Sequence, residues 1–176
     1  LTALCDDLVR EHGCRVTVVT GPPLLPSAPM QPARWRVFER QEHGGVKILR
    51  AAGTRFDKRR FAGRAANYVS YFASACVAGL RLERPDVVVA LTDPPIIGLA
   101  AWLSSLRYRV PLVMAFKDLF PEVAALLPDF HSDTINAALQ QVNRFLVRRA
   151  ARNIALGETM RQRLIGDKGA PPERTV

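Results

Sequence analysis

The 176 residues are 48% apolar and carry a formal charge of +9, enough chain and enough apolar surface to bury a core as one domain spanning 1–176. Cys5, Cys14 and Cys76 are odd in number and form no C-x-x-C pair, which supports neither a disulfide framework nor a zinc site and fits a reducing cytoplasm. No signal peptide is visible, and the longest uncharged run free of proline, Ala65 to Leu80, falls short of the roughly 20 apolar residues that cross a bilayer.

The chain opens with LTALCDDLVREHG, where Leu1, Leu4 and Leu8 share a helical face and Gly13 supplies a stop. RVTVVTG then reads as a buried strand, β-branched and ended by Gly21. GVKILRA (45–51), DVVVALT (86–92), PLVMAF (111–116) and NIAL (153–156) read the same way. Helices are expected at 61–83, 95–108, 121–127, 132–152 and 157–166. This alternation specifies an α/β fold, a Rossmann-like, doubly wound and mostly parallel sheet. Because that architecture normally opens with a strand and a glycine-rich turn, the first strand is expected to be missing. The terminal APPERTV reads as the approach to a further strand.

The stretch from Gly21 to Gly45 holds five prolines and then ARWRVFER. It reads as an ordered lid anchored by Trp35 and Phe38, since loops of that length in compact domains are functional or disordered. The charge is concentrated nearby. Ten Lys or Arg against Glu39, Glu42 and Asp57 leave +7 within residues 34–64, a patch suited to an anionic partner. Lys58, Arg59, Arg60 and Arg64 stand at the start of a helix, where positive charge opposes the helix dipole. In that helix Tyr68 and Phe72 are expected in the core, while Arg64 and Asn67 on its first turn are within reach of a ligand.

Ligands of open parallel sheets sit beyond the carboxyl ends of the strands, which draws attention to Thr92-Asp93-Pro94-Pro95 and to FKDLFPE at 116–122. Pro121 suits the first position of a helix, with Phe120 as its cap and Asp118 held outside. Asp118 then either faces a ligand or serves as a capping or Lys117-paired carboxylate. The Thr92 turn has a structural account too, with proline in a first helical turn and Asp93 at the positive helix end. His12, His43 and His131 stand apart at no ligand spacing, so no metal is expected, and no dinucleotide, Walker A or nucleophile-elbow motif is present.

Together, VTVVTGPPLLP, GRAANYVSYFASA, RPDVVVALTDPP and FKDLFPEVAALL resemble the N-terminal domain of retaining GT-B glycosyltransferases, in particular the family 4 enzymes of capsule, exopolysaccharide and O-antigen synthesis. The most specific parts are the T-x-P-P turn, G-R-x-x-N-Y-x-S from Gly63 to Ser70, and D-L-aromatic-P-E from Asp118 to Glu122. The resemblance implies an acceptor-binding half of an enzyme that moves a sugar from a nucleotide sugar to a glycan or polyprenyl-linked acceptor. The donor would bind mainly an absent C-terminal domain, so this chain is expected to be inactive alone and to hold no cofactor of its own.

By the same resemblance Asp118 is the catalytic candidate, as a base or as an orienting group, with Phe120 standing where tryptophan is more usual. Arg64, Asn67, Thr92, Pro95, Lys117 and Glu122 are the candidates for acceptor binding. Lys58, Arg59 and Arg60 are expected to meet an anionic membrane surface, which makes the protein cytoplasmic and peripheral at the inner face. The competing reading is a non-catalytic basic α/β module binding nucleic acid or another polyanion. No recognition module is legible around Trp35, Phe38, Phe56 and Phe61, so no nucleic acid is expected. A nucleotide-binding oxidoreductase fragment would need the dinucleotide fingerprint that these residues lack.

Overall fold

The computed structural model describes residues 1–21, 37–54, 56–57, 61–94, 96–119 and 133–176. They form two compact units, Leu1–Arg81 and Leu82–Val176, each with one three-stranded sheet. The α/β class and Rossmann-like pattern expected from the sequence are present.

In the first unit, helix α1 (Thr2–Arg10) is followed by Gly13 at φ 61°, and Cys14 N–H returns to the Leu8 carbonyl at 2.9 Å. A left-handed glycine with that reach-back bond satisfies a carbonyl the helix end would leave open. Strand β1 (Thr17–Thr20) pairs in parallel with β3 (Val46–Ala51), which is central and buries Val46, Leu49 and Ala51. The outer strand β2 (Phe38–His43) runs antiparallel to β3, Phe38 opposite Ala51 and His43 opposite Val46.

That outer strand corrects the reading of 21–45 as one long lid. Gly44 and Gly45, at φ 57° and 80°, make the tight two-residue turn whose twist matches paired strands. The polar character of FERQEH hid the strand, because five of its six residues are exposed at the sheet edge. The remainder of that stretch, including Trp35, lies outside the described residues, as does the helix expected at 121–127.

Helix α2 (Phe61–Leu80) turns Arg64, Asn67, Tyr71, Ala75 and Ala78 to one side, a spacing of three and four. Ala75 and Ala78 are buried, the Tyr71 ring covers Gly21, and Gly53 packs against the Cβ and Cα of Tyr71. Tyr68 is 40% exposed rather than core, since it stands one residue, about 100°, off that stripe. Phe72 is half-buried.

The second unit is a parallel sheet of order β4-β5-β6, built from Val88–Leu91, Leu112–Ala115 and Arg152–Ile154. Helix α3 (Ile97–Tyr108) connects β4 to β5, α4 (Asp133–Arg149) precedes β6, and α5 (Glu158–Gly166) follows it. Met114, Phe116, Leu146, Val147 and Leu164 are each at most 2% exposed and form the core. Burial of each such side chain contributes about 1.5–3 kcal/mol. Trp102 and Phe145 meet edge to face at 4.8 Å and join α3 to α4. After α5, Thr175 pairs in parallel with Asn153, so the stretch expected to approach a strand makes one bridge to the sheet.

Candidate functional site

All three strands of the second unit run the same way, so the residues after β4, β5 and β6 share one edge. After β4 comes Thr92, 4% exposed, then a cis Asp93–Pro94 bond. The Pro94 carbonyl accepts Ile97 N–H at 2.9 Å, and α3 begins there with Ile96 as its cap. The helix thus starts at Ile97 and not with Pro94, and its first turn contains no acidic side chain.

After β5, Phe116 and Leu119 are both buried, at 2% and 6%, while Lys117 and Asp118 between them are exposed. The apolar residues anchor the turn in the core and the charged pair is presented outward. Thr92 Oγ1 ties this turn to the neighbouring strand end, accepting Lys117 N–H at 3.2 Å and Asp118 N–H at 3.4 Å. Thr92 is therefore a brace whose oxygen is already engaged by backbone. Asp118 makes no side-chain hydrogen bond or ion pair among the described residues, so its pairing with Lys117 is not seen. Its carboxylate is available to a hydroxyl donor.

The third strand end was not singled out in the sequence. Leu156 follows β6 at 72% exposure and Gly157 caps α5, with open space where a side chain would stand. The rule that located Thr92 and Asp118 points to them as well, once NIAL is recognised as a parallel strand.

Arg64 and Asn67 belong to the first unit. Arg64 is half-buried, and Asn67 lies one turn further into α2 than expected. Its amide is committed to the chain itself: Oδ1 accepts Thr54 Oγ1–H and Phe56 N–H, both at 2.9 Å, and Nδ2 donates to the Phe56 carbonyl at 3.0 Å. Ser70 Oγ accepts Thr54 N–H at 2.9 Å. Gly63 completes the contact, because a Cβ there would fall 2.2 Å from the Asp57 carbonyl oxygen. The glycine, asparagine and serine of G-R-x-x-N-Y-x-S thus fasten the 53–57 segment to α2. Pro95, Glu122, Lys58, Arg59 and Arg60 lie outside the described residues. Among the described residues no group of His, Cys, Asp and Glu could hold a metal ion, and no helix is long and apolar enough to cross a membrane.

No curated protein matches the chain. The family model of the glycosyl transferase 4-like domain matches residues 3–176, nearly the whole sequence. With its parallel sheet and its strand-end residues gathered at one edge, the chain belongs to the glycosyl transferase 4-like family.

Proposed function

We propose that this chain is the acceptor-binding half of a retaining glycosyltransferase that moves a sugar from a nucleotide sugar to a glycan carried on a polyprenyl lipid. One observation carries the reading: an exposed carboxylate, Asp118, unpaired among the described residues, stands at the carboxyl edge of a parallel sheet on a turn braced by Thr92. A hydroxyl of the acceptor placed against Asp118 is oriented by a hydrogen bond, and its proton passes to the carboxylate as the new glycosidic bond forms. Lys117, beside it, suits an anionic group of the acceptor, and Arg64, Pro95 and Glu122 are assigned to acceptor binding. Asn67 acts on the acceptor side by holding the 53–57 segment in shape. The nucleotide sugar belongs to a separate donor-binding domain, which neutralises the departing diphosphate.

The test uses the transferase together with its donor-binding domain. Asp118→Asn keeps the shape and removes the proton acceptor, so turnover falls by about a hundredfold or more while the acceptor KM changes little. Wild-type turnover by the folded variant removes Asp118 from the chemistry. For the membrane part of the reading, Lys58, Arg59 and Arg60 each contribute about 1 kcal/mol of attraction to an anionic cytoplasmic leaflet. Equal sedimentation of the wild type and the triple Gln variant with anionic vesicles ends that part.

A further inference from the structure

The second unit has another cleft, at the amino-terminal edge of its sheet. It has a volume of about 440 Å3 and is bordered by the last turns of α3, by Pro111 and Leu112 where β5 begins, and by Ala151 just before β6. The four residues of β5 separate it from the Asp118 edge, about 13 Å at about 3.3 Å per residue.

Three arginines line this cleft from three different elements. Arg109 is the C-cap of α3, Arg149 is the last residue of α4, and Arg174 closes the short 3-10 turn at Pro172–Arg174. Trp102 and Leu106, the latter 54% exposed, supply an apolar wall. Among the described residues no carboxylate lines the cleft. Glu173, with its side chain 70% exposed, approaches Arg174 Nε only to 3.9 Å. Arg109 and Arg149 make no ion pair among the described residues, and the Arg149 guanidinium lies 5.5 Å from the Phe145 ring centre. A groove of about 410 Å3 shares Arg149 and adds Arg144 and Arg148.

The arginines at the ends of α3 and α4 complement the negative helix termini. That favours one positive charge at each end but does not account for Arg174 joining them. Arg109 also holds φ 56°, a left-handed cap where glycine is the usual residue. A long cationic side chain is thus kept at a position that disfavours side chains, in the lining of a cleft that two other arginines share, an arrangement in which like charges repel. A bound anion offsets that repulsion, and the planar fork of arginine matches phosphoryl oxygens in pairs.

We propose that this cleft binds a phosphoryl-bearing anion, held by the guanidinium groups of Arg109, Arg149 and Arg174, with the Trp102–Leu106 wall taking an apolar or ring portion of the same ligand. The site is independent of Asp118 and of the transfer reaction.

Titration calorimetry of the full chain with inorganic pyrophosphate, at about 0.15 M salt, is one arm of the test. Sedimentation with phosphatidylglycerol–phosphatidylcholine vesicles is the other, and it distinguishes a lipid headgroup from a free phosphate. The expected result is saturable binding in at least one arm, weakened about tenfold or more in the Arg109→Gln/Arg149→Gln/Arg174→Gln variant. The control removes the same charge from exposed positions elsewhere, Arg10→Gln/Arg84→Gln/Arg163→Gln, and leaves binding intact. Should the first triple variant lose its fold, Arg109→Gln alone, at an exposed cap, shows the weakening. No saturable binding in either arm, or equal weakening by the control, overturns the proposal.

Discussion

Asn67 and Phe56 exchange two hydrogen bonds, the side-chain Oδ1 accepting the Phe56 N–H at 2.9 Å while Nδ2 donates to the Phe56 carbonyl at 3.0 Å. An amide imitates a strand partner here, satisfying both backbone groups of one residue. Asn67→Ala removes both bonds and the one from Thr54. Because these groups regain water, the loss is about 1–2 kcal/mol, not the full penalty of buried orphans. Urea unfolding measures it, and proteolysis within 53–57 is expected to accelerate in the variant. Unchanged stability and cleavage would falsify the clamp.

Gly63 sits where a methyl group would meet the Asp57 carbonyl oxygen at 2.2 Å. Helix propensity alone makes Gly63→Ala favourable by about 1 kcal/mol. Displacing rigid backbone costs about 1–3 kcal/mol, so the expected net change is a loss. A thermal melt reads the sign directly, and a raised Tm contradicts the close approach.

Thr92→Val preserves shape but removes the oxygen shared by Lys117 N–H and Asp118 N–H. Both bonds are long, at 3.2 and 3.4 Å, so stability falls by only about 1 kcal/mol. The larger effect is expected in transfer by the complete enzyme, where an unbraced Asp118 turn lowers kcat, and Thr92→Ser restores it. Equal kcat in Val and Ser variants means that the brace has no part in turnover.

The three thiols differ in access. Cys14 is exposed, Cys5 is buried, and Cys76 on α2 has its pKa raised by desolvation. Alkylation at neutral pH is expected to label Cys14 first, with Cys76 reacting only as pH rises past the usual thiol range. A raised thiol pKa stabilises the neutral form in the fold. That contribution is complete below the unfolded pKa and is lost as pH rises through the folded one. Mass spectrometry of labelled peptides across pH checks the order. Labelling of Cys76 ahead of Cys14 contradicts it.

The strands and helices of the described residues were legible in the sequence wherever burial imposed a period. DVVVALT and PLVMAF are near-continuous apolar runs, as strands of parallel sheets are, whereas RVTVVTG, expected to be buried, forms a strand with Thr17 exposed and its other three residues only half-buried. The missed strand, Phe38–His43, is exposed at five of six positions. Its partner β3 and the Gly44-Gly45 turn hold it, so its own side chains give no burial signal. Tyr68 failed in the other direction. Its apolar ring suggested core, yet it stands beside the stripe that α2 turns to the sheet, and only the helix's rotation decides that.

The site divides along the same line. That a carboxylate, Asp118, follows directly on an apolar strand was legible from residue order alone; its exposure beyond the end of β5 is what the structure adds. What Thr92 and Asn67 do was decided by tertiary structure. Thr92 lies 26 residues from Asp118, and Asn67 lies 11 from Phe56. A hydroxyl or an amide can serve a ligand or the chain's own backbone, and which one it serves depends on the groups that folding brings within about 3 Å of it.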